Sequence, residues 1–262
     1  MQHFPGVALV VLAVTTGCSP ELVVGKVEQE KEACPPEGGY GGAPPLEEKV
    51  VEMPWSTGFE GGFCDYERAF GQCYDDGDAS HDVVSEPVFK GKSAAAFRVN
   101  ANTYPDASQT RCFLQGELPV DAMYGAWFYF PALVENRGNW NLMYVQGTPG
   151  IDLGLWDVSL HNGPDGKLYL HVYGHELSYP PQNEVVPVPI GEWFHVEFRL
   201  RRATNPTGAV ALYQDGVLLQ AMSGIVTDRY EFHEWYLGNW GDNLIPSEST
   251  VYVDEATIRP VP

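Results

Sequence analysis

The sequence predicts an all-β fold, a sandwich of two antiparallel sheets, over residues 55–262. Three observations carry that prediction. Past Trp55 there is almost no helical periodicity, short runs alternate apolar and polar residues, and Gly, Asn, Asp and Pro separate the runs. A chain of 262 residues is long enough for one large β domain or two small ones.

The segments ahead of the sandwich read differently. Residues 1–17, "MQHFPGVALVVLAVTTG", hold an apolar run from Val7 to Val14, the length of a secretory core and too short to span a bilayer. The ending "VTTGC" resembles a bacterial lipobox, which implies cleavage before Cys18, lipidation of its thiol, and an exported lipoprotein of the outer membrane or cell surface. Residues 18–54 are acidic and rich in Pro and Gly, the composition of a flexible tether.

Within the domain each run has its reason. The acidic stretch "YDDGDASHD" (74–82) lacks the distal Glu of a calcium loop and reads as a solvated turn. "KLYLHVYGHE" sets Leu168, Leu170 and Val172 on one face and Tyr169, His171, Tyr173 and His175 on the other. "WFHVEFRL" buries Phe194, Val196, Phe198 and Leu200 by the same alternation. "AVALYQ" and "VLLQAM" flank Asp215-Gly216, a tight-turn signal. "STVYVDEATIRP" alternates again until Pro260 ends the pairing.

Charge and cysteine usage narrow the partners. The chain's formal charge is −20, and residues 55–262 carry 27 acids against 12 Lys and Arg. Such a surface repels nucleic acid and anionic lipid, so membrane contact is expected through the N-terminal lipid alone, and a monomer is expected. It also suits uronate-rich polymers poorly unless one groove departs from the average. With Cys18 lipidated, Cys34, Cys64, Cys73 and Cys112 remain, an even number in an exported chain. Spacing does not choose among the three connectivities. The pairing expected is Cys73–Cys112, with Cys34–Cys64 tying down the linker. No CxxC spacing offers a zinc site, and His161, His175, His195 and His233 have no metal-binding spacing.

The order "GEWFHV", a polar turn, "GAVALYQDGVLL", "YLGNW" and "VYVDEATI" resembles the concanavalin A-like lectin/glucanase superfamily. It is closest to the jelly-roll branch holding polysaccharide lyases of the alginate- and heparin-lyase type. "GFEGGF" (58–63) resembles that domain's opening strand. The likeness spans about residues 55–260 and implies a concanavalin A-like jelly roll, but the superfamily includes lectins, hydrolases, lyases and adhesion modules.

Hydrolysis in the laminarinase-like branch uses E-x-D-x-x-E on one strand, and no such run exists here. Asp152 and Asp157 are five apart, on opposite faces of a regular strand. The lyase pattern is only partly kept. "QTRCFLQGEL" supplies Arg111 and "NLMYVQG" supplies Gln146, but no His follows the Gln. In "EWYLGNWGDN", Tyr236 matches the first aromatic, Leu237 replaces a Lys, and Trp240 stands where the proton-donating Tyr belongs. Indole is no general acid at neutral pH. His171 and Tyr173, two apart on one face, offer a replacement base and acid beside Gln146 and Arg111.

The leading expectation is therefore a lectin-like module that binds polysaccharide. Trp240, Tyr236, Tyr144 and Tyr169 would stack on sugar rings and Gln146 would hydrogen-bond hydroxyls. The rival is a lyase using His171, Tyr173, Gln146 and Arg111. A third reading is a structural surface lipoprotein for protein contacts. Trp127 and Tyr129 could add to the stacking face, but core packing is the expected role of the Trp. Pairing of the first and last strands would bring Glu60 near Asp254, and relatives imply a structural calcium ion there.

Overall fold

The computed structural model describes residues 52–101, 107–147, 156–174, 183–228 and 233–261. Its strands are β1 (Trp55–Thr57), β2 (Gln72–Asp76), β3 (Ala79–Val84), β4 (Ala94–Asn100), β5 (Ser108–Gly116), β6 (Asp121–Tyr129), β7 (Glu135–Asn136) and β8 (Trp140–Gln146). They continue as β9 (Trp156–Asn162), β10 (Leu168–Gly174), β11 (Trp193–Arg201), β12 (Gly208–Gln214), β13 (Val217–Ile225), β14 (His233–Gly241), β15 (Leu244–Ile245) and β16 (Glu248–Pro260). One short helix, α1 (Cys64–Arg68), follows β1.

Two antiparallel sheets result, as the alternation requires. The larger runs β13-β12-β11-β6-β16-β4-β3, with β1 paired to β16; the smaller runs β10-β9-β8-β14-β5-β2. β11 carries the expected pattern without a break: Phe194, Val196, Phe198 and Leu200 are buried, and the residues between them are not. Asp215 and Gly216 both take positive φ, 51° and 79°, the conformation of a two-residue hairpin turn between β12 and β13. The acidic stretch 74–82, expected as a turn, is mostly strand: it holds the end of β2 and the start of β3, and only Gly77 and Asp78 cross between the sheets.

The core lies between the sheets and is rich in aromatics, with Trp140, Trp235, Tyr124, Phe97, Phe128 and Phe194 almost fully buried. Asn239 crosses it as a polar bridge. Its Oδ1 accepts the Trp140 indole N–H at 2.8 Å, and its amide donates to the carbonyls of Phe97 and Ser249. A buried amide is tolerated because its groups are paired.

Cys73 and Cys112 face each other across β2 and β5 and form the expected disulfide. Cys64 is also disulfide-bonded. Cys34, like Cys18 and everything before residue 52, lies outside the described residues, as does His175.

Three further expectations need correction. "GFEGGF" is not the opening strand: β1 ends at Thr57 and the chain turns through 58–63 into α1. Trp127 and Tyr129 lie on the outward face of β6, only half-buried, because the alternation there points Ala126 and Phe128 inward. Trp127 is sandwiched between Phe89, 3.7 Å away centroid to centroid, and His195, at 5.0 Å.

The third concerns Glu60 and Asp254. β1 does pair with β16, but both carboxylates are engaged by backbone amides of one loop. Glu60 Oε1 accepts from Lys92 and Ser93, and Asp254 Oδ2 accepts from Phe89 and Lys90, each at 3.0 Å. Among the described residues no three of His, Cys, Asp and Glu are grouped so as to hold a metal ion. Both carboxylates thus staple one loop through its backbone amides.

Candidate functional site

The outward face of the six-stranded sheet is not flat. Residues from β5, β8, β9, β10 and β14, with the 136–139 turn, line a groove of about 710 Å³. Register dictates which side chains meet. One rung runs Tyr173–Asp157–Tyr144–Tyr236–Phe113 across β10, β9, β8, β14 and β5. The next brings His171 opposite Ser159, and Ser159 opposite Asn141.

Arg111 is the centre of this face. It is only 5% exposed, yet its guanidinium lines the groove. The carbon at its fork sits 4.5 Å from the Tyr144 ring centroid, 5.8 Å from that of Tyr236 and 5.7 Å from that of Trp240. Such ring faces stabilise a cation electrostatically. The guanidinium also donates to Asn141 Oδ1 at 3.1 Å. Burial lowers its pKa while the nearby tyrosines and Asp157 oppose that shift. The charge stays, because arginine does not deprotonate in proteins.

Gly238 makes the approach possible. It pairs in register with Arg111, and a Cβ there would stand 2.2 Å from the Thr110 carbonyl oxygen. No other residue type fits so close to the neighbouring strand.

The remaining groups have perturbed acid–base behaviour. Burial, with His161 adding to it, depresses His171 to about 4, so its imidazole is neutral at neutral pH. The Nδ1 atoms of His171 and His161 are 2.9 Å apart, so one ring donates to the other. Burial raises Asp157 to about 6, against the opposing pull of a Ser159 hydroxyl donor and the Arg111 charge. Burial likewise raises Tyr144. Gln146 donates to Glu234 Oε2, which also accepts the Tyr236 hydroxyl at 2.7 Å.

The face thus gathers His171, Tyr173, Gln146, Arg111, Tyr144 and Trp240, all of which line the groove. Tyr236 and Tyr169 are placed elsewhere. Tyr236 is a buried support: the Tyr144 ring stacks on it at 4.2 Å and 18°, so it offers no free face to a sugar. Tyr169 is on the anticipated strand face but beyond the groove, its hydroxyl donating to Asp165 at 2.8 Å.

Asn141, Asp157, Ser159 and His161 were not singled out as site residues. The signal was present for three of them: "WDVSLH" alternates, with Trp156, Val158 and Leu160 buried behind Asp157, Ser159 and His161. Asn141 reaches the face through a register shift between Asn141 and Met143, which alternation does not reveal.

A family model described as polysaccharide lyase matches residues 67–257. No curated protein matches in sequence. Among solved structures, the endo-β-1,4-glucuronan lyase of the fungus Trichoderma reesei superposes with a TM-score of 0.50 at 16% identity, covering 72% of this chain and 90% of that one. The cellulose-induced protein Cip1 gives 0.57 at 14% identity, covering 79% and 97%. A variant of the alginate lyase Aly36B, in complex with alginate trisaccharide, gives 0.58 at 10% identity, covering 81% and 100%. At such identities the likeness establishes a shared jelly-roll fold.

Proposed function

The chain belongs to the polysaccharide lyase family, and from that premise we propose that it cleaves a uronate-containing polysaccharide by β-elimination. The family match favours this reading over the lectin-like one that led on sequence grounds. The single observation that carries it here is Arg111, a buried cation on the groove wall of a protein whose formal charge is −20. A guanidinium so placed suits the carboxylate of a uronate.

In the proposed reaction Arg111 binds and partly neutralises that carboxylate, helped by the amides of Asn141 and Gln146. Neutralisation makes the C5 proton more acidic, since the charge left by its departure flows into the carboxylate. His171, neutral across the physiological range, takes the proton on Nε2; for that, its Nδ1–H must donate to His161. The C5–H electron pair forms the C4=C5 double bond as the C4–O bond breaks, and Tyr173 gives its hydroxyl proton to the leaving oxygen. Trp240, half-exposed at the groove wall, offers a ring on which a neighbouring sugar stacks.

The test is direct. A panel of uronate polymers is incubated with the protein while ultraviolet absorbance is followed, because the new C4=C5 bond conjugated to a carboxylate absorbs. Turnover by the wild type, lost in Arg111→Ala and His171→Ala at unchanged melting temperature, is expected. Since His171 is depressed to about 4, the acidic limb of kcat/KM should fall near that value and not near the ordinary histidine range. Tight binding with no absorbance from any polymer would return the protein to the lectin-like reading.

A further inference from the structure

The lining of the groove is poor in positive charge for a site that meets a polyanion. Arg111 is the one Lys or Arg among the described lining residues, and Asp157 is a carboxylate on the same wall. The other polar groups are amides, hydroxyls and the imidazoles of His161 and His171, both of which burial holds towards the neutral form.

The described residues beside the groove do not make up the deficit. Arg137, on the turn beside the groove, donates to Glu135 through Nε and Nη2, and Lys167 stands 3.7 Å from Asp165. Arg229, in the connection 226–232, lies outside the described residues.

We infer that the groove selects a polymer in which an isolated uronate is flanked by neutral sugars, rather than one bearing a carboxylate on every ring. This rests on the β-elimination reading and names its substrate class. The lining spans five strands from β5 to β10, four inter-strand steps or about 19 Å at roughly 4.8 Å each, while the Arg111 guanidinium reaches over Tyr144 on β8, two strands from His171. More than one sugar ring must therefore lie against this face. One carboxylate has its partner in Arg111. A second would face Asp157 or uncharged groups, and like charges brought together across an interface are strongly disfavoured. A neutral ring presents hydroxyl donors to the Asp157 carboxylate instead, and acceptors to the Asn141 amide.

The experiment varies charge density without changing linkage. Polyglucuronate and alginate are each reduced in steps, so that a growing fraction of carboxyls becomes primary alcohol. Formation of unsaturated ends, expressed as kcat/KM per remaining uronate, is measured for the wild type and Asp157→Asn. The expected result is a rise of about tenfold between the fully charged and the sparsely charged polymer, equivalent to about 1.4 kcal/mol. Asp157→Asn should narrow that gap by gaining on the fully charged polymer. A per-uronate kcat/KM that stays level or falls on reduction overturns the inference, and the wild-type series decides this without the variant. If neither polymer yields unsaturated ends at any stage, the elimination reading is what fails. Calorimetric affinities over the same series then decide the charge preference, and tightest binding of the fully charged polymer overturns it.

Discussion

Asp157 shows how one residue can matter to both stability and recognition. Its carboxyl is 6% exposed and burial raises it from 3.8 to about 6. Below pH 4 both folded and unfolded chains hold the proton. Between pH 4 and 6 the folded chain keeps a proton that the unfolded chain has lost, so stability falls as pH rises through that window. Above 6 the full cost applies, about 3 kcal/mol for a shift of roughly two units. Asp157→Asn should therefore stabilise the protein at pH 7.5 by about 1–3 kcal/mol and flatten the melting temperature between pH 4 and 6. Denaturant melts across that range check it; a less stable variant at pH 7.5 would mean that attraction to Arg111 outweighs burial. At this scale the sequence was legible where alternation holds. It placed Arg111, Tyr144, Gln146, His171 and Tyr173 on faces that do line the groove. It misjudged Tyr236, because which of two stacked rings lies on top depends on the sheet register and not on either residue.

Elements were easier to read than the contacts that tie them. The β11 and β16 alternations and the Asp215-Gly216 turn follow from local pattern, whereas the Cys73–Cys112 bond depends on the register of β2 against β5, which cysteine spacing does not give. The loop staple was not legible. Nothing local distinguishes a Glu60 that binds a cation from one that accepts the N–H groups of Lys92 and Ser93, over thirty residues away. Asp254 is fully buried and accepts from Phe89, Lys90 and Glu255, satisfying three backbone donors that would otherwise lack partners. Asp254→Ala should cost about 2–3 kcal/mol of stability by orphaning those donors. EDTA, by contrast, should leave the wild-type melting temperature unchanged. A melt lowered by chelator and restored by calcium would reinstate the cation site, since an ion bound only to the native state stabilises it.

At the scale of the whole molecule, the groove and its surroundings pull in opposite directions. The chain's formal charge of −20 sets up a field that repels any polyanion, while Arg111 attracts one carboxylate at short range. These two effects respond differently to salt. Repulsion between separated surface charges fades once the Debye length shrinks to about 10 Å near 0.1 M. The contact at Arg111 is buried among Tyr144, Tyr236 and Trp240 and is screened far less. Salt should therefore help: kcat/KM on a uronate polymer is expected to rise as ionic strength climbs from about 0.01 M to about 0.15 M, by severalfold, because screening restores the encounter rate that repulsion suppresses. The rise should lie mainly in KM, with kcat nearly constant, since the chemical step occurs after the chain has docked. A site dominated by a basic groove behaves in the opposite way and loses affinity with every increment of salt. Initial rates measured over that range on one polymer separate the two, and a monotonic fall would show that attraction, not repulsion, governs how this acidic protein meets its substrate.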